Sequence, residues 1–304
     1  MTLKMVIDCD PGLDDAVALV LAHRHAEVIG ITTVSGNAPL AATTANALLV
    51  TALLGADTPV HAGAARPLAG EAVHALEVHG ESGLGGVGPV EHDRVPASDD
   101  AVTFLLEAAS EDVWVVALGP LTNLALAIER DPSWPRRIAG LSLMGGGIGP
   151  GNSTAAAEFN VLADPEAAAR VFDSGADPVM CGLNLTRQLR TDDAFTARLR
   201  GLDSPGARFA VQAFDFLHDR VEALTGRRSA ALHDPCAILA ATHPELLETR
   251  PRQVGVELEG RLTRGMTVVD ERLLRPFPAA NARVAYSIDA ERALDLVVEA
   301  LAAD

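Results

Sequence analysis

The stretch Val6-Ile7-Asp8-Cys9-Asp10-Pro11-Gly12-Leu13-Asp14-Asp15-Ala16 decides the reading of this chain. Met5 to Ile7 is a compact apolar run that predicts a strand. Pro11-Gly12 forces a tight turn, and Asp14 to His25 carries apolar residues at helical spacing. Strand, sharp turn and helix form the first half of a βαβ unit. Four carboxylates fall within eight residues of this turn. Acids are favoured in the first turn of a helix, where free N–H groups and the helix dipole meet them, and that accounts for one or two. Four so close together repel one another unless a cation or a proton sits among them. A hard, oxygen-binding cation such as Ca²⁺ or Mg²⁺ answers that repulsion.

Outward from this turn the alternation continues. Val28 to Val34 is a β-branched run, and Pro39 to Leu54 has a helical pattern. Val113 to Leu118 predicts a strand and is followed by a helix through Ile128. Leu141 to Met144 is a strand ending in Gly145, Gly146 and Gly147. Asp164 to Asp173 is helical, with Pro165 in its first turn, and Pro178 to Leu183 is a further strand. Beyond residue 190 helices dominate from Asp192 to about Thr242. Short strands are then expected at Val254 to Leu258, Met266 to Val269 and Arg283 to Ile288, with a closing helix from Ala290. The fold class is α/β: an open, mostly parallel, Rossmann-like central sheet with flanking helices and small additional strands near the C-terminus. No linker divides the chain, so residues 1–304 are expected to form a single domain. Residues 63–98 are the longest stretch without a pattern, and such loops are often functional.

Ligands of open parallel sheets bind beyond the carboxyl ends of the strands. The residues there are Asp8, Asp10, Asp14 and Asp15 after the first strand, Ser35, Gly36 and Asn37 after the second, and Gly119, Thr122 and Asn123 after the Val113 strand. The set is rich in carboxylates and amides and poor in bases. His233-Asp234-Pro235 offers a further carboxylate to complete a metal cage, although Asp234 also suits a helix cap with Pro235 at the first helical position.

The composition narrows the partners. Among 304 residues, 41 acids stand against 24 Lys and Arg, for a formal charge of −17. That excludes a nucleic-acid surface, which needs clustered cations, and an anionic membrane surface. Most of this charge belongs to solvated helix faces. Hydrophobic residues make up 48% but aromatics only 4%, so small aliphatics fill the core. Cys9, Cys181 and Cys236 are far apart, in apolar stretches and without metal spacing, which reads as free thiols in a reducing compartment. With no signal-like segment before Asp8, a cytoplasmic location is expected.

The chain resembles the nucleoside hydrolase family, the inosine-uridine preferring enzymes. The resemblance rests on Asp8 to Ala16, Thr32-Thr33-Val34-Ser35-Gly36-Asn37, His79-Gly80-Glu81-Ser82-Gly83-Leu84-Gly85, Gly119-Pro120-Leu121-Thr122-Asn123, Leu143 to Gly147, Ala157-Glu158-Phe159-Asn160 and His233-Asp234-Pro235. It covers nearly the whole chain, in one order. It implies Ca²⁺-dependent hydrolysis of the N-glycosidic bond of purine or pyrimidine ribonucleosides, such as inosine or uridine, to ribose and free base. That is chemistry of nucleoside catabolism and salvage. It implies Ca²⁺ ligands at Asp10, Asp15, Asp234 and the carbonyl of Leu118, with a water and two ribose hydroxyls also on the metal. Asp14 and Asn37 match residues that contact the ribose and the water. Asn152, Glu158 and Asn160 match residues that hold the 3′- and 5′-hydroxyls, and Met144 one that lines the sugar pocket. His79 and His233 match histidines beside the base. It also implies a homodimer or homotetramer.

Physical chemistry assigns the roles within that set. The reaction builds positive charge on the ribose, which a carboxylate-rich pocket stabilises. Asp10 is the expected general base, His233 assists the departing base near neutral pH, and Asn37 is counted with them as catalytic. Family members often carry tyrosines on the helix before His233. Here Leu217 to Thr225 offers His218 and Val221 instead, below Phe209, Phe214 and Phe216, and Tyr286 is the single tyrosine.

Several other motifs carry no such weight. Gly83, Gly85 and Gly88 spell GxGxxG without a preceding strand, and Asn152-Ser153-Thr154 and Asn184-Leu185-Thr186 fit glycosylation acceptors without a secretion signal. Two alternatives remain at this point. One is a haloacid dehalogenase-type phosphohydrolase using Asp8 and Asp10, although Gly12 departs from its pattern and no lysine motif is evident. The other is a non-catalytic nucleoside or ribose binder.

Overall fold

A computed structural model describes residues 2–88, 90–272 and 279–303. Its strands are β1 (Lys4–Cys9), β2 (Glu27–Thr33), β3 (Val60–Ala62), β4 (Val113–Ala117), β5 (Gly140–Met144), β6 (Val179–Cys181), β7 (Arg190–Asp192), β8 (Ser229–Ala231), β9 (Leu247–Arg252), β10 (Val254–Val256), β11 (Thr267–Val269) and β12 (Ala282–Ile288). The helices are α1 (Leu13–His25), α2 (Leu40–Leu53), α3 (Leu76–His79), α4 (Ala101–Ala108), α5 (Thr122–Arg130), α6 (Phe159–Ala163), α7 (Pro165–Asp173), α8 (Leu183–Thr186), α9 (Asp193–Arg200), α10 (Pro205–Thr225), α11 (Pro235–Thr242) and α12 (Ala290–Ala302).

Eight strands make one sheet in the order β3-β2-β1-β4-β5-β6-β12-β9. All neighbours run parallel except the last pair, β12 and β9. The chain moves outward from β1 to β3 in one direction, then returns to place β4 on the other side of β1. This reversal opens a crevice beyond the carboxyl ends of β1 and β4. Asp10 follows β1 there, and Leu118 follows β4.

β1 is buried on both faces, as a central parallel strand must be. α1 is apolar around most of its circumference, and Leu13 through Ala22 are all buried. It packs in the layer with α10, α11 and α12. Val113, Val115, Leu141 and Phe172 belong to a second apolar cluster with α5 and α7. Burial of a Leu or Phe side chain in either layer contributes about 1.5–3 kcal/mol. Side-chain caps set helix starts: Asp164 accepts the N–H of Ala167 at 3.0 Å below Pro165, and Ser204 that of Ala207 at 3.1 Å below Pro205. No helix among the described residues is long and apolar enough to cross a membrane.

The expected strands and helices are present with ends shifted by a few residues. Four features exceed the expectation. β12 is a member of the main sheet, parallel to β6, and β9 extends it at the antiparallel edge. β10 and β11 are a separate antiparallel pair. The stretch after residue 190 is not purely helical, because β7 and β8 pair antiparallel. β3 and α4 also stand between the second helical run and β4. Cys9, Cys181 and Cys236 are free and buried.

Candidate active site

The turn Asp10-Pro11-Gly12 brings the acids together. Asp15 lies in the first turn of α1, and its carboxylate reaches back to the turn. Oδ2 accepts the N–H of Gly12 at 2.9 Å, and Oδ1 accepts that of Asp10 at 3.3 Å. Asn37, after β2, ties the turn to the neighbouring strand. Its N–H donates to Asp10 Oδ2 at 2.6 Å and its Nδ2 to Asp15 Oδ2 at 3.0 Å. Carboxylate oxygens of Asp14, Asp15 and Asp234 lie within 4.8 Å of one another. Asp234 comes from the start of α11, which packs beside α1.

Asp10 is fully buried and closely walled. A Cβ at Gly36 would stand 2.0 Å from its Oδ2, and one at Gly119 2.3 Å from its Oδ1. Only glycine at these positions lets both strand ends close on the carboxylate. Asp10 Oδ1 has no hydrogen-bond partner. Burial, then the charge of Asp15, pushes the Asp10 carboxyl well above the usual range. Burial and Asp14 do the same to Asp234, and to a smaller degree to Asp15. Buried carboxylates at this spacing call for a cation, and one of them keeps a bare oxygen. This donor set fits a hard divalent ion.

A cavity of about 430 Å³ opens above the cluster. At its inner end lie Asp14, Asn37, Leu118, Met144, Glu158, Asn160 and Asp234. Asn160 Nδ2 donates to the carbonyls of Leu118 at 2.6 Å and Met144 at 3.0 Å. Glu158 caps α6: Oε1 accepts the N–H of Asn160 at 2.9 Å, and Oε2 those of Gly146 at 2.9 Å and Val161 at 3.1 Å. Burial raises its carboxyl, and these N–H donors hold part of that rise back. Asn152 is exposed at the rim, its Oδ1 accepting the N–H of Phe159 at 3.0 Å.

The outer end of the cavity is different. Val78, Leu217, Val221 and Thr225 line it, with the exposed Arg190 and Arg227, while His79 stands between this face and the acidic turn. His79 Nδ1 accepts the N–H of Leu13 at 3.2 Å, so the neutral ring carries its proton on Nε2. His233 Nδ1 is 2.7 Å from Thr186 Oγ1. Burial lowers the His233 imidazolium, while the Asp14 charge opposes that.

The structure thus gathers around one cavity Asp14, Asn37, His79, Leu118, Met144, Asn152, Glu158, Asn160, His233 and Asp234. Asp10 and Asp15 lie directly beneath. His218 is a correction: it is fully buried, 3.0 Å from Thr191 Oγ1, and absent from the cavity wall. One residue of helix phase separates it from Leu217, which does line the cavity. Thr186 and Thr225 had no sequence signal of their own. Asp8 also stands apart from the cavity. It is fully buried, and its Oδ1 accepts Thr32 Oγ1 at 2.5 Å and Asn123 Nδ2 at 2.7 Å. Burial pushes its carboxyl up to about 7. A phosphohydrolase would need Asp8 at the surface of the cavity and a lysine beside it. The single lysine, Lys4, pairs with Asp112 on the surface, at the opposite end of β1.

The family model of the inosine-uridine preferring nucleoside hydrolases matches residues 5–295. The chain belongs to this family. Among curated relatives, the pyrimidine-specific ribonucleoside hydrolase RihA of Salmonella paratyphi A is 42% identical over 308 residues, covering 99% of each chain. The inosine-uridine preferring nucleoside hydrolase of Crithidia fasciculata is 38% identical, covering 99% of this chain and 98% of that one. Among solved structures, a plant nucleoside hydrolase superposes with a TM-score of 0.93 at 33% identity over the whole of both chains. The purine-preferring ribonucleoside hydrolase of Gardnerella vaginalis gives 0.92 at 31%, covering 98% of each. The chain is therefore a nucleoside hydrolase, an enzyme acting on N-glycosyl bonds, and the mostly parallel sheet is the family's fold. Its relatives differ in the base they are named for.

Proposed function

We propose that this nucleoside hydrolase is a Ca²⁺-dependent enzyme, a single catalytic unit over the whole chain, in which Asp10 is the general base and His233 assists the leaving base. The observation that carries this reading is Asp10 Oδ1, a buried carboxylate oxygen without a partner beside three more aspartates. Asp10, Asp15, Asp234 and the carbonyl of Leu118 would hold the Ca²⁺, which would supply positive charge to acidify a water and to bind ribose hydroxyls.

The rest of the chemistry belongs to the side chains. Asp10 takes a proton from the attacking water. Asp14, Asn37 and Asn160 hold ribose hydroxyls, with Met144 against the sugar and Glu158 and Asn152 toward its outer hydroxyls. The glycosidic bond then breaks with positive charge on the ribose, which the surrounding carboxylates stabilise. His233 donates a hydrogen bond or proton to the departing base, with Thr186 orienting its ring through Nδ1. His79 stands on the other side of the base. Among the described residues no lysine or arginine stands with Asp14, Asn37, Glu158 and Asn160 in the cavity lining except Arg190 and Arg227 on the far face, so neutral nucleosides fit better than nucleotides.

The test is a panel of uridine, cytidine, inosine and adenosine with Ca²⁺ present, assayed for free ribose and free base. Release from at least one is expected, and release from none would overturn the reading. Phosphate release from a general phosphatase substrate, sensitive to Asp8→Asn, would favour the phosphohydrolase instead. Stoichiometric nucleoside binding without turnover would favour a binder.

A further inference from the structure

The segment that follows His79, the last residue of α3, is a glycine-rich loop, residues 80–86, held from two sides. On the metal side, Asn46 Nδ2 donates to the carbonyls of Pro11 and Ser82, both at 2.8 Å, bolting the loop to the acidic turn. The loop also closes on itself, the N–H of Gly85 donating to the His79 carbonyl at 2.8 Å. On the other side stands a single aromatic ring, Phe216 of α10. A Cβ at Gly85 would lie 2.4 Å from Phe216 Cε1 and Cζ, one at Gly86 2.6 Å from its Cβ, and one at Gly80 3.4 Å from its Cζ. Gly85 and Gly86 thus form a seat that only hydrogen-sized side chains allow, with Gly80 in van der Waals contact beside it. Around it, Gly88 N–H donates to Gln212 Oε1 at 3.2 Å, and Arg220 Nε donates to the Glu77 carbonyl at 2.9 Å. Both partners are one turn of α10 from Phe216. The residue next to Phe216, Leu217, is in the cavity wall, with Val221 and Thr225 on the following turns.

From this we infer that Phe216 is a positioning residue for base binding: its ring, seated on Gly85 and Gly86 beside Gly80, fixes the spacing between His79 and the Leu217–Thr225 face of α10. The inference rests on the nucleoside hydrolase reading of the cavity and adds to it a residue that touches no substrate. The sugar end has its own ties, because Asn37 bonds both Asp10 and Asp15 and neither bond passes through Phe216. Loosening the ring widens the base end and leaves the chemistry in place. Its signature is therefore a rise in KM with kcat retained, and a smaller difference between bases of different size.

Two variants test this from opposite sides. Phe216→Ala removes the ring. Gly85→Ala leaves the ring but places a methyl in its seat, at a backbone position that tolerates alanine, so it carries the test should Phe216→Ala fail to fold. Each is expected to raise KM for uridine and inosine by roughly tenfold, with kcat within about threefold, as a loss of binding shared by ground and transition states does. The uridine-to-inosine ratio of kcat/KM should move toward one, and Phe216→Leu should recover part of the loss. Hydrogen exchange gives a readout independent of turnover: the Gly85 amide should exchange faster in both variants while the amide of Asp10 does not. Unchanged KM with unchanged exchange at Gly85, or a fall in kcat with KM unaltered, overturns the inference alone. A wild-type enzyme that releases no base from any nucleoside overturns the functional reading, and this inference with it.

Discussion

The two ends of the cavity are built from different materials. The inner end is made of strand ends. Asp10 is walled by Gly36 and Gly119, Asn37 bonds both Asp10 and Asp15, and Asn160 bonds two carbonyls. Each side chain has several partners on different strands, so none can move without disturbing the sheet. The outer end is made of the α10 face, the short helix α3 and residues of the small β7–β8 pair. Leu217, Val221 and Thr225 line it by van der Waals surface, and Val221 and Thr225 are partly or fully exposed. The contrast separates two tasks. Bond cleavage needs fixed charges and sits on the sheet, while base selection needs only a shape and sits on elements that can be exchanged. Relatives of one fold that are named for pyrimidines, for purines and for inosine with uridine fit that division.

The comparison can be broken first at Asp10. Asp10→Ala should lower kcat by about 10³-fold or more for every nucleoside alike, the magnitude expected for loss of a general base that also binds the metal. A loss confined to one base would erase the distinction between the two ends. The next largest effect concerns His233. His233→Ala should cost roughly 10²-fold on inosine or uridine and little on a p-nitrophenyl riboside, whose leaving group needs no proton. Equal losses across a leaving-group series would remove its proposed role.

A third effect is pH dependence. Folding raises the carboxyls of Asp10, Asp15 and Asp234, chiefly through burial, and that of Asp8 to about 7. Between an unfolded value near 4 and these folded values, the native metal-free protein holds more protons than the unfolded chain. Its stability is greatest at the acid side of that window and falls as pH rises through it, the Asp8 share being lost by about pH 7. His23, His25, His61, His218 and His233 are held neutral by burial and act in the opposite direction below about pH 7, so thermal melts of chelated protein should show Tm falling from about pH 7 to 9, and added Ca²⁺ should flatten or reverse the slope. A chelated Tm that climbs over this range would contradict the charge cluster. The smallest effect belongs to the outer end: Val221→Ala should shift the ratio of kcat/KM between uridine and inosine by about threefold, less than an enclosed methylene gives because Val221 is only half-buried, with kcat on a p-nitrophenyl riboside unchanged.

Much of this is legible in the sequence. The acidic turn was readable because four carboxylates in eight residues exceed what capping requires. The inner sheet strands were readable because burial on both faces makes them continuous apolar runs. Three kinds of feature were not. Edge strands carry no such run: β9 reads Leu-Glu-Thr-Arg-Pro-Arg and alternates exposed with partly covered residues, and β3 has three residues. The place of β12 beside β6 is a long-range pairing that local pattern does not encode. Helix phase also escaped, since His218 and Leu217 are neighbours in sequence yet one points into the core and the other into the cavity. Side-chain partners such as Thr186 for His233 come from elements 47 residues apart and leave no trace in spacing.

The most direct measurement is ribose release from uridine and inosine by protein stripped with a chelator and back-titrated with Ca²⁺. The account predicts activity lost on chelation and restored at one ion per chain, with Asp10→Ala and Asp234→Ala unrestored at the same concentration. Full hydrolysis by the stripped protein would contradict it.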